Sequence, residues 1–112
     1  MDVVSLSALA AEQIAAAHAS PAGRSARTIH GGHAHALRQT VLALLAGRAL
    51  SEHESPGEAT LYVLAGRVRL SAGDHSWEAA TGDYVDVPPG RHDLAAIDDS
   101  AVLLSVVTAA RG

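Results

Sequence analysis

The sequence contains no cysteine and no phenylalanine, and its aromatic content is one tryptophan and two tyrosines. Without cysteine there can be no disulfide scaffold, no thiolate metal site and no cysteine nucleophile. Without phenylalanine the core must be built from Val, Leu, Ile and Ala. Charge is also sparse: 8 basic and 12 acidic residues give a net charge of −4, and no basic block stands out. Nucleic acid is therefore not an expected partner, because phosphate contacts need clustered cations. No apolar run approaches a transmembrane span, and Met1-Asp2-Val3-Val4 lacks the basic start of a signal peptide. A soluble, cytoplasmic protein with no membrane contact is the expectation.

What is present fits one domain. At 112 residues with 48% apolar content, the chain can bury an ordinary core. Residues 5–19 read as a helix, with Ser5 or Ser7 as cap and an alanine-rich body of high helix propensity. Leu6, Leu9, Ala10, Ile14 and Ala17 form its apolar stripe, suited to a sheet or a partner subunit. Ser20-Pro21-Ala22-Gly23 ends it. Residues 1–23 are thus a helix and linker, and 24–112 a single β domain.

Within that domain, Thr28-Ile29-His30 suits a short edge strand before Gly31-Gly32. His33 and His35 would share one face of a strand, a metal-like arrangement. The blander reading, polar histidines flanking a glycine turn at a rim, is preferred. Leu37–Ala46 is a strand apolar on both faces toward its end, hence covered on both sides. Gln39 shares one face with Val41 and Ala43, Arg38 the other with Thr40, Leu42 and Leu44. Which face is inside is open. Arg38 inside would be an anion anchor. Further strands follow at roughly ten-residue spacing between glycine turns, the pattern of a sandwich or barrel. Trp77 is expected to cover one side or end of it, and Asp98-Asp99 to be solvated turn residues.

Two stretches carry more. Gly47, His53, Ser55, Ala59 and Gly66 fall at the spacings of Gly-x5-His-x-His-x3-Glu-x6-Gly, so the region resembles the first motif of the cupins. Gly82, Pro88 and Gly90 match the second, Gly-x5-Pro-x-Gly-x2-His-x3-Asn. There the histidine, His92, comes one residue early and the Asn is absent. The resemblance covers about residues 38–107. It implies an all-β, cupin-type jelly-roll β-barrel with a short N-terminal α-helix, and His53 and His92 meeting inside the barrel.

A cupin metal centre normally uses three His and one Glu, a set suited to Fe, Mn, Zn or Ni. Here Ser55 is a poor ligand and Ala59 is none. Glu58 is one residue off, and on a regular strand its carboxylate faces the other way unless a bulge turns it. His53, His92 and Glu58 are the candidate ligands of one divalent transition metal, with His33, His35 or Gln39 as conceivable additions.

Three functions are weighed. The preferred one is a small cupin binding an organic molecule through His53 and His92, with Ser55, Ala59, Gln39 and Arg38 lining the site and no cofactor. The alternative is a metal-dependent enzyme of dioxygenase or isomerase type with the reduced His/Glu set. The third is a structural or regulatory module with a filled barrel. The resemblance also implies a homodimer, with residues 26–30 covering a partner's sheet edge.

Overall fold

The computed structural model describes residues 2–54 and 57–107, with residues 51–54 described by their backbone alone. One helix, α1 (Leu6–His18), precedes nine strands: β1 (Arg24–His30), β2 (Leu37–Leu44), β3 (Ala49–Glu54), β4 (Glu58–Ala65), β5 (Arg67–Ala72), β6 (His75–Ala80), β7 (Tyr84–Asp86), β8 (Arg91–Ala96) and β9 (Ser100–Val107). They form a five-stranded sheet, β1-β2-β9-β4-β7, and a four-stranded sheet, β3-β8-β5-β6. Every pairing is antiparallel. The two sheets face each other as a jelly roll, as expected from the motifs.

Alternation explains which residues meet between the sheets. Leu42 and Leu44 of β2, Leu61 and Val63 of β4, Val68 and Leu70 of β5, Leu94 and Ala96 of β8 and Val102 of β9 belong to one buried cluster. The core is aliphatic, as the composition requires. Burying each such Val or Leu contributes on the order of 1.5–3 kcal/mol before chain entropy is charged against it.

The helix explains the doubly apolar run of β2. Ser5 caps α1, its Oγ accepting from the Ala8 N–H at 3.1 Å. Leu9, Ala10 and Ala17 are buried, and the Gln13 side chain meets the Ser25 hydroxyl of β1 at 2.5 Å. The helix lies on the outer face of the five-stranded sheet, where Val41 and Ala43 are fully buried. Leu9, Ala10 and Ala17 of its stripe are thus covered within the chain, while Leu6 and Ile14 stay half-buried.

Chain direction separates two ends. The β2–β3, β4–β5, β6–β7 and β8–β9 turns gather at one end, with the C-terminus of α1. The β1–β2, β3–β4, β5–β6 and β7–β8 connections gather at the other. Of the seven histidines, only His18 belongs to the first end. His30, His33, His35, His53, His75 and His92 all lie on strands or loops at the second.

The histidine end of the barrel

His92 is carried into β8 by the Pro88-Pro89-Gly90 corner. Gly90, at φ +91°, takes a left-handed turn that a β-carbon would strain. The His92 side chain is 5% exposed and its Nδ1 lies 3.1 Å from the Gly90 carbonyl oxygen. A carbonyl only accepts, so Nδ1 donates in this bond. His92, Leu94 and Ala96 share the inward face, all buried.

His92 lines a cavity of about 20 Å³ with Leu42, Leu50, Leu61, Val87 and Leu104 among its neighbours. That space suits roughly one water molecule. The lining was only half readable from sequence. Leu42 and Leu61 are marked by strand parity, whereas Val87 follows a three-residue strand too short to show a period.

His53 sits on β3 directly across the ladder from His92, with a register irregularity between Leu50 and His53. The backbone thus brings the two motif histidines to adjacent positions at one end of the barrel. Ser55 lies outside the described residues. Ala59 is buried on the inward face of β4 with Leu61 and Val63, while Glu58 is exposed on the opposite face. No bulge at Glu58 turns it inward; its backbone pairs with Val107 in register.

Gln39 and Arg38 are resolved by the same parity. Gln39 is on the helix-bearing face, where its Nε2 donates to the Ser105 hydroxyl at 3.1 Å. It shares that face with Val41 and not with the barrel interior. Arg38 shares the inner-face parity of Leu42 but is exposed at the rim, so it is not a buried anion anchor.

The His30 and His35 rings meet at a tilt at the same end, centroids 4.7 Å apart, and both are exposed, as is His33. Among the described residues no group of three His, Asp or Glu side chains is placed to hold a metal ion. The described donor set therefore does not fit a three- or four-ligand centre: Glu58 faces away and Ala59 offers no donor.

The opposite end is tied differently. Ser100, buried, accepts from the Arg67 N–H at 2.9 Å and shares its proton between the Asp98 carbonyl (2.7 Å) and the Arg67 carbonyl (3.0 Å). Asp99 accepts from the Ala46 N–H at 2.8 Å and from His18 Nε2 at 2.9 Å. It is a structural tie between turns, not a freely solvated residue. These contacts join the β2–β3, β4–β5 and β8–β9 turns to the helix.

Comparison with known proteins agrees with this architecture. A family model described as a cupin domain matches residues 40–108. A conserved protein of unknown function from Streptococcus pyogenes is 27% identical, with 82% of this chain and 80% of that one aligned at a TM-score of 0.73. A cupin superfamily protein from Desulfitobacterium hafniense is 16% identical over 77% of this chain and 78% of its own, TM-score 0.71. An acetylacetone dioxygenase from Acinetobacter johnsonii is 13% identical over 76% of this chain and 60% of its own, TM-score 0.67. At such identities the last two speak to fold alone. Among curated protein sequences none matches the chain.

Proposed function

Given that the chain belongs to the cupin family, we propose that it binds a small organic molecule at the histidine end of the barrel, anchored by His92 and His53. The observation that carries this reading is a buried imidazole in an otherwise aliphatic cavity, opposite a second histidine in the β3–β8 ladder. The ring is held by its bond to the Gly90 carbonyl, so its place in the cavity wall is fixed rather than adaptable. A core that needed only to be filled would be served better by leucine.

The size of the cavity limits the ligand. A whole drug-sized molecule needs several hundred Å³, and about 20 Å³ admits one oxygen-sized group. The ligand therefore presents a single hydroxyl, carbonyl or carboxyl oxygen to His92, with its body at the rim beyond Ala59.

The metal-dependent alternative is the weaker reading, because the described residues supply no third ligand. The filled interior favours the third reading, a module acting through its surface, to the extent that the cavity stays this small.

The test is a titration of untagged protein with acetate, propionate and small alcohols, following the ring ¹³C–¹H signals of all seven histidines. Saturable shifts of His92 and His53 together, abolished in His92→Leu, are expected. Rings that stay unmoved while the protein remains folded would leave the filled module. Stoichiometric metal in the untagged protein, lost in His53→Ala, would instead establish the metal reading. We also propose a homodimer through β1, which stands at the edge of its sheet among the described residues. Light scattering at micromolar concentration checks it, and a monomeric mass would refute it.

A further inference from the structure

A second recess is lined by the edge strands β6 and β7 of the two sheets and the turn that joins them. It measures about 470 Å³ and is lined by Trp77, Ala79, Asp83, Tyr84, Val85 and Asp86, among others. That volume falls among small-ligand sites. It shares no lining residue with the His92 cavity, so nothing here depends on the reading of that cavity.

The lining has a definite chemistry. Trp77 is 45% and Tyr84 61% exposed, leaving two of the chain's three aromatic side chains at one open groove. Its lining includes no Arg and no His, but three carboxylates. One of these, Glu78, is neutralised by Arg69 at 2.9 Å. Among the described residues the other two have no ion-pair partner. Asp83 Oδ2 accepts from the Ala80 N–H at 2.8 Å, and Asp86 Oδ1 accepts from the Tyr84 hydroxyl at 3.1 Å. Neutral donors hold both carboxylates in position without cancelling them. The charge of Asp86 is felt locally: the hydrogen bond to Asp86, then desolvation and that charge, raise the Tyr84 hydroxyl above its ordinary pKa.

We propose that the β6–β7 groove binds a small organic cation, an alkylammonium or guanidinium group, against Trp77 and Tyr84 with Asp83 and Asp86 supplying the counter-charge. An anion would meet two like charges and no compensating cation. An uncharged apolar ligand would desolvate the carboxylates for nothing in return. A bare metal ion finds no set of three ligands among the described residues. An organic cation satisfies both halves of the lining, since aromatic faces attract positive charge, tryptophan most strongly. The same chemistry could arrive as a free amine or as a basic side chain of a peptide.

Trp77 is the chain's sole tryptophan, so its fluorescence reports on the groove directly. The full chain is titrated at constant low ionic strength with choline chloride and, in parallel, with dimethylbutanol, its uncharged carbon isostere. Choline should give a saturable change with half-saturation on the order of millimolar, the isostere binding at least about fivefold more weakly. Asp83→Asn and Asp86→Asn, which keep an acceptor oxygen for Ala80 and Tyr84, should each weaken choline by roughly three- to tenfold. A second comparison sets N-acetyl-arginine amide against the peptide acetyl-Gly-Arg-Gly-amide. Equal affinity identifies a free cation as the occupant, and tighter peptide binding identifies a basic side chain. The proposal is overturned if choline and its isostere titrate alike, if neither saturates, or if the folded double Asn variant binds choline as the parent does.

Discussion

The two ends of this barrel are built from the same strands and spend their polar groups differently. At the turn end, Ser100, Asp98, Asp99, Arg67, Ala46 and His18 are joined by hydrogen bonds that run between turns and to the helix. At the histidine end, His92 makes its bond to Gly90 from within an aliphatic cavity, and His30, His33, His35 and His75 stand exposed. The first arrangement closes the fold, because each turn's backbone groups are answered by another turn. The second places its histidines in a cavity wall and on the surface rather than between turns, and binding chemistry is commonly drawn from such positions.

The sharpest way to break this contrast is at Gly66. Its φ is +86°, and a β-carbon there would overlap the Asp99 carbonyl oxygen and Ser100 Oγ and come within 2.8 Å of Ser100 Cα. These neighbours are mostly backbone and cannot swing away. Gly66→Ala should destabilise by about 3 kcal/mol or more, since strain and overlap add. Urea unfolding checks it. Gly47→Ala is the matched control: it shares the left-handed φ of +83° but would meet nothing within 4 Å. It should cost about 1 kcal/mol, the conformational part alone. Equal losses in the two variants would show that close approach contributes nothing.

Ser100 comes next. Ser100→Ala removes the acceptor for the Arg67 N–H and leaves that part-buried group without this partner. A loss of about 1–3 kcal/mol is expected, with Ser100→Thr no substitute, because the added methyl would sit where Gly66 already crowds the hydroxyl. Thermal unfolding of both variants decides it. A loss below about 0.5 kcal/mol for Ser100→Ala would mean that water replaces the hydroxyl.

How much of this could be read in the sequence depends on whether burial or pairing makes the element. β5 alternates exposed Arg67 and Arg69 with buried Val68 and Leu70, and such a strand announces itself. β1 does not. Only Thr28–His30 were expected to be extended, yet the strand starts at Arg24, because its residues are held by pairing with β2 and carry almost no burial signal. The face assignment of Gln39 and Arg38 was undecidable for a related reason: α1 makes both faces of β2 apolar, so parity has nothing to contrast. Glu58 and Ala59 were readable, since one residue of offset flips the face. The tie between His18 and Asp99 spans 81 positions, and the aromatic groove joins strands of different sheets. No local pattern encodes either.

At the other end, His92 should behave as a group the fold tolerates. His92→Leu fills the same aliphatic surroundings and removes one polar ring, at the cost of the Gly90 bond and the ring's other contact. The two terms nearly cancel, and stability should stay within about 1 kcal/mol of the parent, while the saturable shift of His53 with small acids or alcohols is lost. His92→Ala, which opens a void as well, should fall by a further 1–2 kcal/mol or so. A His92→Leu variant that unfolds would place His92 among the structural ties, and the contrast between the two ends would fail.

The smallest effect expected is at Asp99. Its pKa is lowered from 3.8, first by the Ala46 N–H bond and then by the hydrogen bond and charge of His18, against an opposing desolvation effect. The fold thus favours the ionised form. Its contribution to stability is present above pH 3.8, the unfolded value, and is lost as pH falls through the lower folded value. Asp99→Asn should therefore be less stable than the parent above that window and converge with it below. Because a backbone N–H is the larger cause and the group is exposed, the effect should be small and only weakly reduced by salt. His18→Ala separates the causes: an NMR titration of the Asp99 carboxyl carbon in that variant should retain most of the lowering. If the lowering vanishes with the imidazole, the helix is held to the turn by charge, and the tie would weaken in about 1 M salt as a surface ion pair does.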